Sequence, residues 1–239
     1  MVTSTVDIDL GDEQAQQLWA AVGDLVKRLP EQWVLIGGLM VQLHALERGA
    51  TQVRPTRDID VLGQARPPGA LSAIDAALRD EGFEPVLPDL DGYARRYVRH
   101  GLSVDLLAPD GIKPPPDLGG GRKAIGVPGG SQALARSETV TVTVNGRSFE
   151  LRRPTLLGAV LIKARSLMVH SDPEAQRADL LALLALIEDP RQMAAQLRKS
   201  ERRWLRVTEP TLNLSGLSLL DADTMRRAEL AYRLLIRRP

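Results

Sequence analysis

The chain has no cysteine. That excludes a disulfide framework, and with it thiolate nucleophiles and thiolate metal ligands. Long apolar runs are also missing. The longest wholly apolar stretch, Leu180 to Ile187, is too short to cross a bilayer. Met1 to Gly11 carries acids but no cation and no apolar segment, so no secretory signal is expected there. Neither sign of charge dominates: 31 Lys and Arg face 30 Asp and Glu, a formal net charge of +1. This excludes a surface coated in positive charge but leaves room for a local basic groove. The three histidines, His44, His100 and His170, share no metal-ligand spacing. No Ser-His-Asp or Cys-His set follows from local motifs. The expected home is a reducing cytoplasm, with no membrane partner.

What remains is the composition of an ordinary soluble globular protein, 44% hydrophobic and 26% charged over 239 residues. That length suits one large domain or two small ones.

The chain is organised around Gly37 to Asp60. Trp33-Val34-Leu35-Ile36 reads as a short buried strand. Gly37-Gly38 then permits a sharp turn and a close backbone approach. Leu39, Leu43 and Leu46 recur at helical spacing, and Gly49 marks the end of that helix. A second apolar strand, Ile59 to Leu62, opens with Asp58 and Asp60. Side chains two apart on a strand share a face, and two neighbouring carboxylates repel unless a cation lies between them. Carboxylate oxygens suit Mg²⁺. Taken singly, a Gly-Gly is an ordinary turn and an Asp-x-Asp an ordinary strand edge. The assembled order of strand, Gly-Gly, helix and Asp-Ile-Asp is what carries the signal.

Around this core the pattern predicts a helix over Asp12 to Leu29, stopped by Pro30, and another over Leu71 to Glu81, capped by Gly82. Two strands, Tyr93 to Val98 and Leu102 to Leu107, flank a turn at His100-Gly101. The second holds a lone acid, Asp105, among apolar residues. A carboxylate there either pairs with a cation on the adjacent strand, Arg95 or Arg99, or binds a metal. Pro114 to Gly130 is rich in Pro and Gly and reads as loop. Its Gly-Gly-Gly-Arg122-Lys123-Ala124 lacks the close of a phosphate loop, and it is expected to be mobile surface. Thr139 to Val144 and Ser148 to Arg152 form a hairpin about Asn145-Gly146, expected to close the catalytic sheet. From Pro154 onward the chain reads as helical, so residues 1–152 are expected to form one domain and 153–239 a helical one. Arg198, Lys199, Arg202, Arg203 and Arg206 form either a solvated helix face or a contact for RNA phosphates.

Gly37-Gly38 followed by Asp58-Ile59-Asp60 resembles the polymerase-beta-type nucleotidyltransferase superfamily. Arg54-x-Thr56-x-Asp58-x-Asp60, with Lys163 on one later helix and Asp179 on the next, looks like the AbiEii/MenT-type nucleotidyltransferase toxins of type IV toxin–antitoxin pairs. Gln176 stands where many such relatives carry an acid. The resemblance implies an α/β (α+β) nucleotidyltransferase fold, a small mixed sheet flanked by helices and followed by a helical domain. It implies a metal set of Asp58, Asp60 and Asp105 holding two Mg²⁺ ions, with Mn²⁺ as a substitute, and a catalytic set completed by Lys163 and Asp179. Nucleotide binding would fall to Gly37, Gly38, Arg54, Thr56 and Lys163. The implied reaction transfers NMP from an NTP to RNA, with the tRNA 3′ end as acceptor and blocked translation as the result. The implied partner is a cognate antitoxin, and Thr56 is the implied site of inhibitory phosphorylation. Two other readings stay open: a nucleotidyltransferase that modifies a small molecule such as an aminoglycoside, and a non-catalytic member that binds a partner.

Overall fold

A computed structural model describes residues 2–9, 11–50, 54–168, 173–208 and 220–237; His170 and Pro210 lie outside this set. The first strand, β1 (Val2–Ile8), leads into α1 (Glu13–Arg28), where the Asp12 carboxylate accepts the Gln14 N–H and caps the helix. Leu18, Trp19, Val22 and Leu25 form its buried face. β2 (Trp33–Ile36) runs straight into α2 (Gly37–Glu47), and β3 (Asp58–Gly63) leads to α3 (Ala70–Asp80). Then come β4 (Glu84–Pro85), β5 (Tyr93–Ala94), β6 (Arg96–Arg99), β7 (Leu102–Pro109) and β8 (Lys123–Val127). After α4 (Gly130–Ala135), the hairpin β9 (Ser137–Val144) and β10 (Arg147–Pro154) turns through Asn145 and Gly146, both at positive φ. The helices α5 (Leu156–Ser166), α6 (Pro173–Ala185), α7 (Pro190–Ala195), α8 (Lys199–Thr208) and α9 (Ala222–Ile236) complete the described chain.

The main sheet has the strand path β2-β3-β7-β6-β4, with β8 paired to β7 and to β5. β3 runs parallel to β7, while β2 is antiparallel to β3 and β6 antiparallel to β7, so the sheet is mixed. Two apolar clusters fill the molecule. The first packs α1 and α3 against the sheet through Trp19, Leu25, Ile59, Ile74 and Leu106. The second packs α5, α6, α8 and α9 against Val34, Ile36, Leu62 and Leu107 of the same sheet. α2 supplies Leu39 and Leu43 to the first cluster and Met40 and Val41 to the second. A helix wedged between two cores is enclosed all round: every residue from Gly38 to Ala45 is buried, and the two polar ones, Gln42 and His44, bond the Arg54 and Pro154 carbonyls. The sequence marks a junction at 152/153. In space α5 follows β10 directly, and the C-terminal helices share their core with the sheet.

Three local expectations need correction. The β9–β10 hairpin does not close the catalytic sheet: it forms a separate three-stranded sheet with β1, ordered β1-β9-β10. Val6 pairs with Val142 and Ile8 with Val144, and these alternate residues are buried in the first cluster. Pro114 to Gly130 is not all loop, because β8 lies within it. Arg122 is no mobile cation either, since its guanidinium sits 2.7 Å from the buried Asp75 carboxylate. Lastly, Arg202 and Arg206 donate to carbonyls at the end of α9, Leu235 and Ile236 among them, so they cap a helix rather than stand free. No helix among the described residues is long and apolar enough to cross a membrane.

Candidate active site

Ile36 pairs with Asp60 across β2 and β3, so the chain leaves β2 directly beside the Asp60 carboxylate. Gly37 turns there at φ +71°, and a Cβ at this position would collide with that carboxylate. A Cβ on Gly38 would sit 2.7 Å from Thr56 Oγ1 and 3.3 Å from an Arg54 nitrogen. Both glycines are therefore demanded by close approach, and both line a cavity of about 630 Å³. That volume suits a nucleotide-sized ligand.

Register sets the acids. Asp60 on β3 stands opposite Asp105 on β7, and Asp58 opposite Ser103. Opposed residues share a face, as do residues two apart, so Asp58, Asp60 and Asp105 project together into the cavity. Across the other edge of β7, Asp105 stands opposite Arg96. Arg96 donates from Nε to Asp105 Oδ1 at 2.8 Å and from Nη2 to Oδ2 at 3.1 Å, and Nη2 also reaches Asp58 Oδ2 at 3.4 Å. Arg95 Nε lies 3.2 Å from Asp105 Oδ2. Asp105 thus both joins the acid cluster and pairs with arginines. Arg99, the other partner considered, instead stacks over Phe83 at 4.4 Å. Burial pushes the Asp60 carboxyl up to about 6 against the pull of Lys163, and the charges of Asp105 and Asp58 add to the rise.

The opposite wall is built on Asp179, which is buried on α6. Arg54 donates to it twice, Nε at 2.9 Å and Nη2 at 3.1 Å, and Lys163 Nζ donates at 2.7 Å. Lys163 also donates to Gln176 Oε1 at 3.1 Å, so Gln176 serves as a neutral acceptor beside Asp179. Burial would raise the Asp179 carboxyl, but Lys163 and Arg54 outweigh it and hold the group below its usual range. The Arg54 backbone is held in turn by Gln42 of α2, whose Nε2 donates to its carbonyl at 2.9 Å. Arg54, Thr56 and Lys163 line the cavity together with Gly37, Gly38 and the three acids. Asp179 stands behind Lys163 and Arg54 and positions them.

Arg96 was not among the residues expected from sequence, although a signal was present. A two-residue turn at His100-Gly101 pairs Arg99 with Leu102, and counting back along β6 puts Arg96 opposite Asp105. A further unanticipated wall is apolar, formed by Leu107, Ile125, Val127, Pro128 and Ile162.

Three converging carboxylates, one raised by lack of water, offer the hard oxygen donors that Mg²⁺ or Mn²⁺ takes, so the donor set fits a divalent cation. With the side chains as they stand, no group of three acids or imidazoles among the described residues is arranged to hold a metal. The Arg96 guanidinium occupies part of that place.

No family model and no curated protein matches the chain. Among solved structures it is similar to an antigenic nucleotidyltransferase-like protein from Paracoccidioides brasiliensis, at a TM-score of 0.51 and 13% identity over 89% of this chain and 94% of that one. At such identity the likeness speaks for the fold alone: this chain has a nucleotidyltransferase-like fold.

Proposed function

We propose that the protein is a nucleotidyltransferase that transfers NMP from an NTP to an RNA hydroxyl, the tRNA 3′ end above all, and acts as the toxin of a toxin–antitoxin pair in the cytoplasm. The observation that carries the chemistry is the pairing of Asp60 with Asp105 beside Gly37-Gly38 in one cavity, with Lys163 on the facing wall. The acceptor and the toxin role rest on the resemblance of Arg54-x-Thr56-x-Asp58-x-Asp60 to the AbiEii/MenT-type toxins.

In this reading the acceptor oxygen forms a bond to the α-phosphorus while the bond to the β-phosphate oxygen breaks and pyrophosphate leaves. Asp58, Asp60 and Asp105 would hold two Mg²⁺ or Mn²⁺ ions. Bound there, divalent cations stabilise charge on the attacking and leaving oxygens. The chain's own residues do the rest. Asp105 takes the hydroxyl proton. Lys163 and Arg54, braced by Asp179, offset the negative charge of the phosphates. Gly37 and Gly38 let the triphosphate come close to the backbone. The apolar wall shields the nucleobase from water. Thr56, whose hydroxyl faces Gly38, is the point at which an antitoxin could add a phosphate.

The test is incubation of purified protein with total tRNA, Mg²⁺ and each α-labelled NTP in turn. Label should enter tRNA. Transfer to an aminoglycoside but not to any RNA would replace the acceptor in this account, and no transfer to either would remove the enzymatic reading.

A further inference from the structure

We propose that Arg96 is a built-in counter-cation of the acid cluster, so that a divalent cation binds by exchange: it takes the Asp58 and Asp105 carboxylates from the Arg96 guanidinium. The proposal rests on the metal-dependent reading above and adds a residue to it.

Four observations support the exchange. Both oxygens of Asp105 accept from Arg96, and the same Nη2 reaches Asp58, so the fork bridges the two acids as a bound cation would. Among the described residues the Arg96 side chain hydrogen-bonds to these two acids and to no other part of the fold. Its side chain is 40% exposed, and that of Asp58 42%, so the pair opens onto the cavity. Two arginines that tie the fold together elsewhere are far more enclosed: Arg153 on Glu47 and Glu138 is 1% exposed, and Arg122 on Asp75 is 13% exposed. The Asp58 contact is exposed and weak. The two-pronged Asp105 contact is the firmer one, with a carboxylate only 8% exposed, but a divalent cation brings twice the charge to the same oxygens. The Arg96 backbone stays in the ladder with β7 while the side chain leaves, so the sheet need not open.

The consequence is a cluster that is never bare. Without a divalent cation, Arg96 offsets the repulsion among the three acids. With one bound, the displaced guanidinium remains at the cavity edge, where it is free to meet phosphate oxygens.

The experiment measures Mn²⁺ binding to the full chain by titration calorimetry, with no NTP and no RNA, for the wild type, Arg96→Met and Arg96→Lys. Exchange predicts roughly five- to ten-fold tighter Mn²⁺ binding in Arg96→Met, because the competing cation is gone. Arg96→Lys, which keeps the charge but loses the two-pronged fork, should fall between Arg96→Met and the wild type. If Arg96→Met does not fold without metal, the Lys variant alone decides, since it must still bind Mn²⁺ more tightly than the wild type. The melting temperature of either variant should rise more on adding Mn²⁺ than that of the wild type. Unchanged or weaker Mn²⁺ binding in the variants, with tRNA labelling by the wild type intact, would overturn the exchange alone. No Mn²⁺ binding to any of the three proteins would overturn the exchange and the metal-dependent reading together.

Discussion

Asp60 and Asp105 stand directly opposite each other on two parallel strands, while Gly37 occupies the space beside Asp60 that any larger residue would take. These relationships fix the site: strand register brings the acids together, and a missing side chain keeps the backbone within reach of them.

Gly37→Ala tests that geometry. The added methyl meets the Asp60 carboxylate, and the positive φ strains any L-residue. The variant should lose about 1–3 kcal/mol of stability in urea denaturation, together with any transfer activity. A stable variant would show that the turn has room the structure denies it.

Lys163 and Asp179 form a buried pair, so Lys163→Ala should not be a silent change. It leaves Asp179 buried with Arg54 still donating to both of its oxygens, and should cost about 1.5–3 kcal/mol. In a double-mutant cycle, Lys163→Ala with Asp179→Ala should cost clearly less than the sum of the single changes. Additive losses in urea midpoints would mean that the two residues act independently.

His44 should cost the fold stability in mild acid. Burial, with Arg153 and Arg48 nearby, pulls this imidazole down to about 3, although its contact with the Pro154 carbonyl and the charge of Glu47 work the other way. The unfolded chain therefore takes up a proton between about pH 6.5 and 3 that the folded chain refuses, so stability falls as pH drops through that window. Between pH 7 and pH 5 His44 alone should cost about 2 kcal/mol. Asp60 partly offsets this, because its raised carboxyl takes up a proton in the folded chain over the same range. The His44 effect is therefore read as the difference between wild type and a His44 variant. His44→Gln, which still has a donor for Pro154, should flatten the decline. An equally steep decline in the variant would place the acid sensitivity elsewhere.

Much of this was legible in the sequence, and the gaps have physical causes. The Asp58-Ile59-Asp60 face and the Asn145-Gly146 turn follow from local periodicity, which a sequence displays directly. The link from Arg54 to Asp179 spans 125 positions, and no local pattern encodes a partner that distant. β1 was missed for the same reason, since its partner β9 lies far along the chain. β8 was hidden by the glycines and prolines around it, because its edges are satisfied by β7 and β5 rather than by a hairpin neighbour.

Thr56 tests the proposed control point. Its hydroxyl packs against Gly38 on the cavity wall, so a negative charge there would meet the phosphates of an incoming nucleotide. In the tRNA-labelling assay Thr56→Glu should lose most of its activity, while Thr56→Val keeps a substantial part. Near-normal labelling by Thr56→Glu would count against regulation at this residue.

The most direct measurement of the central claim compares wild type with Asp60→Asn for transfer of label from α-labelled NTP to tRNA, with melting temperatures read on the same samples. Asn removes the charge that burial and the neighbouring acids disfavour, so Asp60→Asn should melt at the same temperature or higher. Its labelling should fall by about 100-fold or more, because the carboxylate that would hold the cation is gone. Undiminished labelling by a well-folded Asp60→Asn would contradict the account.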